Sequence, residues 1–326
     1  MILPARLALG LLAVLALLAI GRPTRAQSYP VSCTVAGPSL TFGTVNPYSG
    51  FPYSTSGNGT LSCTNSGPLA ATVYGCLSVG TGSGGISATN RAVALGAATI
   101  PVQITGGSAY PSQIGNGTSY PMEGLLTLSV GAYATATASV PLAVTMPAPG
   151  STPGPGTYTS SFSGTDAQFF YNAPVLGSPS ACSSLVSGTH STAQANFSIS
   201  ATVATQCTVV AGNLSFPTAS VLNQQVTASS SISVTCNAST PVTVALDNGA
   251  SGTGPTARQM KSGANAITYG IYRDAAFTLP WGSTAGTNTA SLSTGTGSLT
   301  AYGLVPVQTS PAPGSYADVV DVIITY

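Results

Sequence analysis

Few residues in this chain have the types and spacing that catalysis needs. The single histidine, His190, sits in Ser187-Gly-Thr-His-Ser191 among hydroxyls, where it could serve a nucleophilic serine as general base. No Gly-x-Ser-x-Gly elbow accompanies it, and a lone histidine in a Ser/Thr loop is ordinarily inert. Glu123 and Asp166 could form the carboxylate pair of glycoside hydrolysis, but no local pattern joins them. Asp318 and Asp321 lie in the terminal strand and suit turn or edge hydrogen bonds. The six cysteines (Cys33, Cys63, Cys76, Cys182, Cys207 and Cys236) contain no Cys-x-x-Cys pair, so with one histidine a zinc site is not expected. No catalysis, no cofactor and no metal is the expectation.

The chemistry that remains is thiol oxidation, and the start of the chain supplies the compartment. A basic residue at Arg6, an apolar run over residues 7–20 and the small residues Thr24 and Ala26 describe a secretory signal peptide, residues 1–26. The apolar run is shorter than the roughly 20 residues a spanning helix needs. An even number of cysteines in an exported chain reads as disulfides. Without the leader, Arg91, Arg258, Lys261 and Arg273 face Glu123, Asp166, Asp247, Asp274, Asp318 and Asp321. So few charges leave no footprint for nucleic acid and no basic patch for anionic lipid. Gly, Ser, Thr, Ala and Val dominate and long helical patterns are absent. An all-β fold of two domains follows.

The elements repeat. Cys33-Thr-Val leads to Leu40-Thr-Phe42 and on to Gly59-Thr-Leu-Ser-Cys63; Cys207-Thr-Val leads to Leu214-Ser-Phe216 and on to Ser231-Ile-Ser-Val-Thr-Cys236. Pro155-Gly-Thr-Tyr158 opens a strand in the first half, as Pro313-Gly-Ser-Tyr316 does in the second. An internal duplication of one β-sandwich unit is the economical reading. By the repeat, Cys33 pairs with Cys63 and Cys207 with Cys236, which leaves Cys76 and Cys182 to each other. The expected domains are residues 27–193 and 194–326.

These residues resemble a known family. Cys-Thr-Val, Leu-x-Phe and Val-x-Cys, with Arg258-Gln-Met260, Ile267-Thr-Tyr-Gly-Ile-Tyr-Arg-Asp274, Trp281-Gly and the terminal strand, are similar to the spore coat protein U domain over residues 194–326. The first half is similar more loosely, keeping Arg91, Ile100-Pro-Val-Gln-Ile104 and Gly-Thr-Tyr but lacking the Tyr-Gly-Ile-Tyr and Trp-Gly elements. Most members look like subunits of archaic (Csu-type) chaperone–usher pili. The resemblance implies two immunoglobulin-like β-sandwich domains, the C-terminal one incomplete and completed by a donor strand. It implies as partners a periplasmic chaperone, an outer-membrane usher and an adjacent subunit that supplies the strand.

The run Gly314-Ser-Tyr-Ala-Asp-Val-Val-Asp-Val-Ile-Ile-Thr-Tyr326 carries branched apolar residues on both faces, so it reads as a strand buried in a sheet. Such a strand needs neighbours on both edges. Tyr316, Val320, Val322, Ile324 and Tyr326 are its expected acceptor residues. With cleavage before Gln27, six residues precede Cys33, too few to donate a strand and also begin the domain. An accepting, non-donating subunit suits the tip of a fibre. Phe197, Ile199, Ala201 and Val203 alternate on one face. That segment either completes domain one in cis or opens domain two; the second reading is favoured for residues 200–203 and the earlier part stays open.

If the first domain binds a surface, its loops should carry the contact. Asn46-Pro-Tyr-Ser-Gly-Phe-Pro-Tyr53 groups Tyr48, Phe51 and Tyr53, and further candidates are Tyr110, Ile114, Tyr120 and Met146. The competing reading is packing at the sandwich end, and the two are evenly matched for residues 48–53. The resulting expectation is a cell-surface pilus tip subunit acting in attachment to an abiotic or host surface and in biofilm formation through apolar loops. The alternatives are a structural spore-coat or extracellular matrix protein, or a glycan-binding lectin-type adhesin.

Overall fold

The computed structural model describes residues 27–87, 90–108, 110–115, 124–148 and 152–326; the expected leader and Tyr120 lie outside them. The chain folds as two compact units. The first holds most of the chain up to Ala201, and the second holds Thr202–Tyr326 with Thr44–Gly50 and Pro149–Gly156. No helix among the described residues is long and apolar enough to cross a membrane.

The first unit begins with β1 (Val31–Ala36), β2 (Ser39–Val45), β3 (Tyr53–Asn65), β4 (Ala71–Val79), β5 (Ile86–Ser87), β6 (Asn90–Leu95) and β7 (Ala98–Gly106). It continues with β8 (Tyr110–Gln113), β9 (Leu126–Val130), β10 (Thr135–Met146), β11 (Gly156–Phe162) and β12 (Ala167–Asn172). A short helix, α1 (Cys182–Ser187), leads to β13 (Ser191–Gln194) and β14 (Phe197–Val203). A ten-stranded sheet runs β1-β3-β10-β7-β6-β11-β14-β2, with β5 and β8 attached at β6 and β7. The facing sheet runs β13-β12-β4-β9. Alternation sets the core: along β10, Val140, Leu142, Val144 and Met146 are buried and the residues between them are not.

The second unit comprises β15 (Cys207–Ala211), β16 (Val226–Cys236), β17 (Val242–Leu246), β18 (Arg258–Ser262), β19 (Asn265–Tyr272), β20 (Ala290–Leu292), β21 (Gly297–Val305) and β22 (Val322–Thr325). One sheet runs β15-β16-β21-β19-β18, the other β20-β17-β22. Trp281 is buried between them and donates its indole N–H to the Val244 carbonyl at 3.0 Å.

The duplication extends to single cross-strand pairs. Cys33 faces Cys63 across β1 and β3, and Cys207 faces Cys236 across β15 and β16. Thr159 pairs with Ala94 in the first unit and Ala317 with Lys261 in the second. Each of these pairs lies one residue past a Tyr (Tyr158, Tyr316) and three past an Arg (Arg91, Arg258). Disulfides join Cys33 to Cys63, Cys76 to Cys182 and Cys207 to Cys236, as the repeat led us to expect. They close loops of 30, 106 and 29 residues. By restricting the unfolded chain, each contributes about 3–5 kcal/mol.

Three expectations need correction. Residues 200–203 do not open the second domain's sheet, because β14 lies between β11 and β2 in the first unit's sheet. The terminal run is not buried on both faces: Val319 and Ile323 point to solvent, 71% and 48% exposed, since no described element covers that side of β22. The Leu214-Ser-Phe216 repeat is not a strand. Its counterpart β2 is held in the sheet by β14, and among the described residues Leu214 and Phe216 have no such partner strand.

Candidate functional site

Two stretches cover the long strand region of the first unit along one edge. β13 pairs antiparallel with β12, Ser191 opposite Tyr171 and Gln194 opposite Gln168. The Ala195 N–H then donates to the Ala167 carbonyl at 2.9 Å. Phe197, the first residue of β14, stacks on Phe162, the last residue of β11, with ring centroids 4.4 Å apart. The segment 191–203 therefore runs antiparallel along β12 and then β11. Its other edge meets β2 in the same direction, with residues 196 and 197 packed against Gly37, just ahead of Leu40. Phe197, Ile199, Ala201 and Val203 are all buried. Their alternation puts one apolar face into the core, while the ladder on both edges satisfies the backbone.

The same position in the second unit is an open groove of about 1100 Å³. One wall is the stretch from Leu214 to Leu222; the other is the stretch from Tyr316 to Val322. Its floor includes Met260, Ile267, Tyr269 and Ile271. β22 pairs on its inner edge with β17, Val322 opposite Leu246 and Ile324 opposite Val244. No described strand lies on its outer edge. Leu214, Phe216, Met260, Ile267, Val320, Val322 and Ile324 pack against the core but stay partly exposed. Small-molecule pockets usually span about 300–1,000 Å³, so the groove suits an extended chain segment better than a small ligand.

The walls are held rigidly. Gly303 in β21 lets the first wall lie close, because a Cβ there would come within 2.8 Å of both Leu214 and Phe216. At the second wall the Tyr269 hydroxyl donates to Asp318 Oδ2 at 2.8 Å, and Asp318 Oδ1 accepts the Ala250 N–H. Burial, then the hydrogen bond to the Asp318 carboxylate, pushes the Tyr269 phenol well above its usual range, so it stays a donor. The buried Arg258 guanidinium donates to the carbonyls of Asp247, Pro255 and Trp281, tying the loop beneath this wall together. Burial lowers its pKa, and the nearby Tyr269, Asp247 and Asp318 oppose that shift. We expect Tyr269→Phe to lower the second unit's stability by about 1.5 kcal/mol through the lost bond to a charged group, read as a lower midpoint for that unit alone in calorimetry. An unchanged midpoint would show that Tyr269 does not brace the wall.

The sequence candidates fare unevenly. Tyr316, Val320 and Val322 line the groove wall, half-buried, and Ile324 packs against the core, whereas Tyr326 is 53% exposed. Phe51 is exposed, but Tyr53 is half-buried, and the Tyr48 hydroxyl is buried without a hydrogen-bond partner among the described residues. Ile114 and Met146 are corrections: both are core residues, Met146 at an inward position of β10 and Ile114 just after β8 with its N–H bonded to the Ile104 carbonyl, and neither is exposed at a surface. Tyr110 begins β8, and Tyr120 lies outside the described residues. Tyr53 pairs directly with Met146, and Tyr110 pairs with Gly106 of β7, whose Thr105 pairs with Ala143, so these candidates lie at one end of the first unit's large sheet. Sequence reasoning missed Tyr269, Met260 and Ile267 as groove residues; each sits at an inward position of a strand that looked like ordinary core.

The polar candidates among the described residues make local contacts. His190 Nδ1 lies 3.0 Å from the Gly188 carbonyl and its ring packs edge-on to Phe170. Asp166 accepts the Thr81 N–H. Glu123 lies outside the described residues.

Comparison with curated protein sequences gives no match. Among solved structures, the chain is similar to the CsuC–CsuE chaperone–tip adhesion subunit pre-assembly complex from the archaic Csu pili of Acinetobacter baumannii. That likeness has 18% identity and a TM-score of 0.49, over 90% of this chain and 100% of that one. It is also similar to the CupB6 tip adhesin from Pseudomonas aeruginosa, with 12% identity and a TM-score of 0.34, over 91% of this chain and 94% of that one. The model of the Spore Coat Protein U domain matches residues 24–165 and again residues 193–323, so the chain belongs to that family and carries its domain twice.

Proposed function

We propose that this chain is the tip subunit of an archaic chaperone–usher pilus, attached to the fibre through its second domain and to a surface through its first. One observation supports this reading above the others. A position filled in the first unit by the chain's own segment 191–203 is, in the second unit, an apolar groove beside a strand edge that no described strand pairs. Exposed apolar faces and unpaired backbone edges are both costly, and a strand from another polypeptide relieves both at once. The donors are a periplasmic chaperone during export and the adjacent subunit in the fibre. Because segment 191–203 already closes the first unit, that unit needs no donor and is free to carry attachment and biofilm formation.

The test is the position of the protein along isolated fibres. Gold-labelled antibody should mark one end of each fibre, one particle per fibre. Labelling along the length would favour the structural coat or matrix reading instead.

A further inference from the structure

The floor of the second unit's groove holds a residue that the first unit does not use at the matching step. Met260 lies opposite Ile267 across β18 and β19, and Val93 lies opposite Ile100 across β6 and β7. Met260 and Val93 each sit two residues past a buried Arg (Arg258, Arg91), so the two pairs are equivalent in the duplicated sheet. In the closed first unit Val93 and Ile100 are 0% and 2% exposed. In the second unit Met260 and Ile267 are half-buried and line the open groove. The comparison shows how fully a seated strand would cover this position.

A thioether brings chemistry that valine lacks. The chain has four methionines; Met1 and Met122 lie outside the described residues, and Met146 is fully buried. Among the described residues Met260 is therefore the methionine that solvent reaches. Its sulfur can attack a peroxide oxygen, forming an S–O bond as the O–O bond breaks. The hydroxyl proton passes to the departing hydroxide, which leaves as water. Sulfur is oxidised by two electrons, the peroxide is reduced by two, and the flexible apolar side chain becomes a polar sulfoxide.

The groove has no spare donor for that new oxygen. The Tyr269 hydroxyl is committed to Asp318, and the Lys261 and Ala317 N–H groups donate to each other's carbonyls. The remaining neighbours along the floor and first wall, Ile267, Ile271, Leu214 and Phe216, are apolar at the contact. In the open groove water solvates the sulfoxide. Beneath a seated strand the same oxygen is buried without a partner, which penalises strand binding and spares the unassembled fold.

We infer that Met260 is an oxidation site that shuts the groove to an incoming strand: peroxide converts it in the unassembled chain, and a seated strand shields it. The inference rests on the strand-acceptor reading above and adds a redox control to it, one that methionine sulfoxide reductases can reverse. The probes are hydrogen peroxide and a synthetic peptide of residues 191–203, used with the full-length chain. Peptide mapping by mass spectrometry should show oxygen added to Met260 about tenfold faster than to Met146, and saturating peptide should slow it about tenfold. The oxidised chain should bind the peptide about tenfold more weakly, and reductase treatment should restore binding. A Met260→Leu chain, compared with itself, should bind equally before and after peroxide. Oxidation of Met260 no faster than Met146, undiminished binding after oxidation, or an equal loss in the treated Met260→Leu chain overturns the inference while the strand-acceptor reading stands. Failure of the untreated wild type to bind the peptide overturns the strand-acceptor reading, and the inference falls with it.

Discussion

A chain extended beyond Tyr326 by a flexible turn and a second copy of residues 191–203 should become soluble and monomeric without any chaperone. The second unit's thermal midpoint should rise by at least about 10 °C. The first unit already uses this design: its strand region 156–172 is followed by a connection and then by a donor that returns antiparallel along the same edge. In the second unit the appended Phe, Ile and Val equivalents would cover Leu214, Phe216, Met260, Val320 and Val322. Full burial of such side chains contributes about 1.5–3 kcal/mol each. Ordering the added residues opposes this at about 1–2 kcal/mol per residue of backbone, offset by the ladder bonds on both edges. A net gain of about 2 kcal/mol in a domain near 120 residues corresponds to about 10 °C. The control carries Asp at the copied Ile position and should show no gain. If the extended chain and the control melt alike, the groove is not a strand acceptor, and the pilus reading fails with it.

The second prediction concerns the native copy of that strand. Ile199→Asp should unfold the first unit and leave the second intact. Ile199 is fully buried, flanked along β14 by Phe197 and Ala201, and its side chain enters the core between the sheets. A carboxylate among those apolar neighbours either remains charged in a site that cannot solvate it or takes up a proton to stay neutral. Together with the lost isoleucine packing, the cost is about 4–5 kcal/mol, a large share of the stability of a single domain. Calorimetry should show the first unit's transition lost and the second's within a degree or two of wild type. Loss of both transitions would mean that β14 is integral to the second unit as well. Retention of both would mean that it is dispensable to the first.

Much of this architecture was legible in the residues alone. The cysteine pairing followed from two stretches of matched spacing, because a disulfide between adjacent strands needs its cysteines in register, and duplicated strands keep their register. The all-β class followed from the dominance of Gly, Ser, Thr, Ala and Val and the absence of long helical patterns, which are local signals. Arg91 and Arg258 could be aligned in the same way, and the structure puts them at the same step of the sheet.

What alternation cannot express is the identity of the neighbour. The alternation of Phe197, Ile199, Ala201 and Val203 fits the last strand of one domain or the first of the next; it led us to favour the wrong domain for residues 200–203, and only pairing with β11 and β2 decides it. The same nonlocal rule works in reverse at Leu214-Ser-Phe216, which has the residues of β2 but no described strand to lie against. Ile114 and Met146 looked like loop residues because proline and glycine surround them, yet both turn into the core. Composition and spacing, then, determined the parts and their repetition, since those depend on residues a few positions apart. Which edge is closed, which groove stays open and which apolar side chains reach solvent depended on contacts between residues far apart in the chain, and those exist only once the sheets have formed.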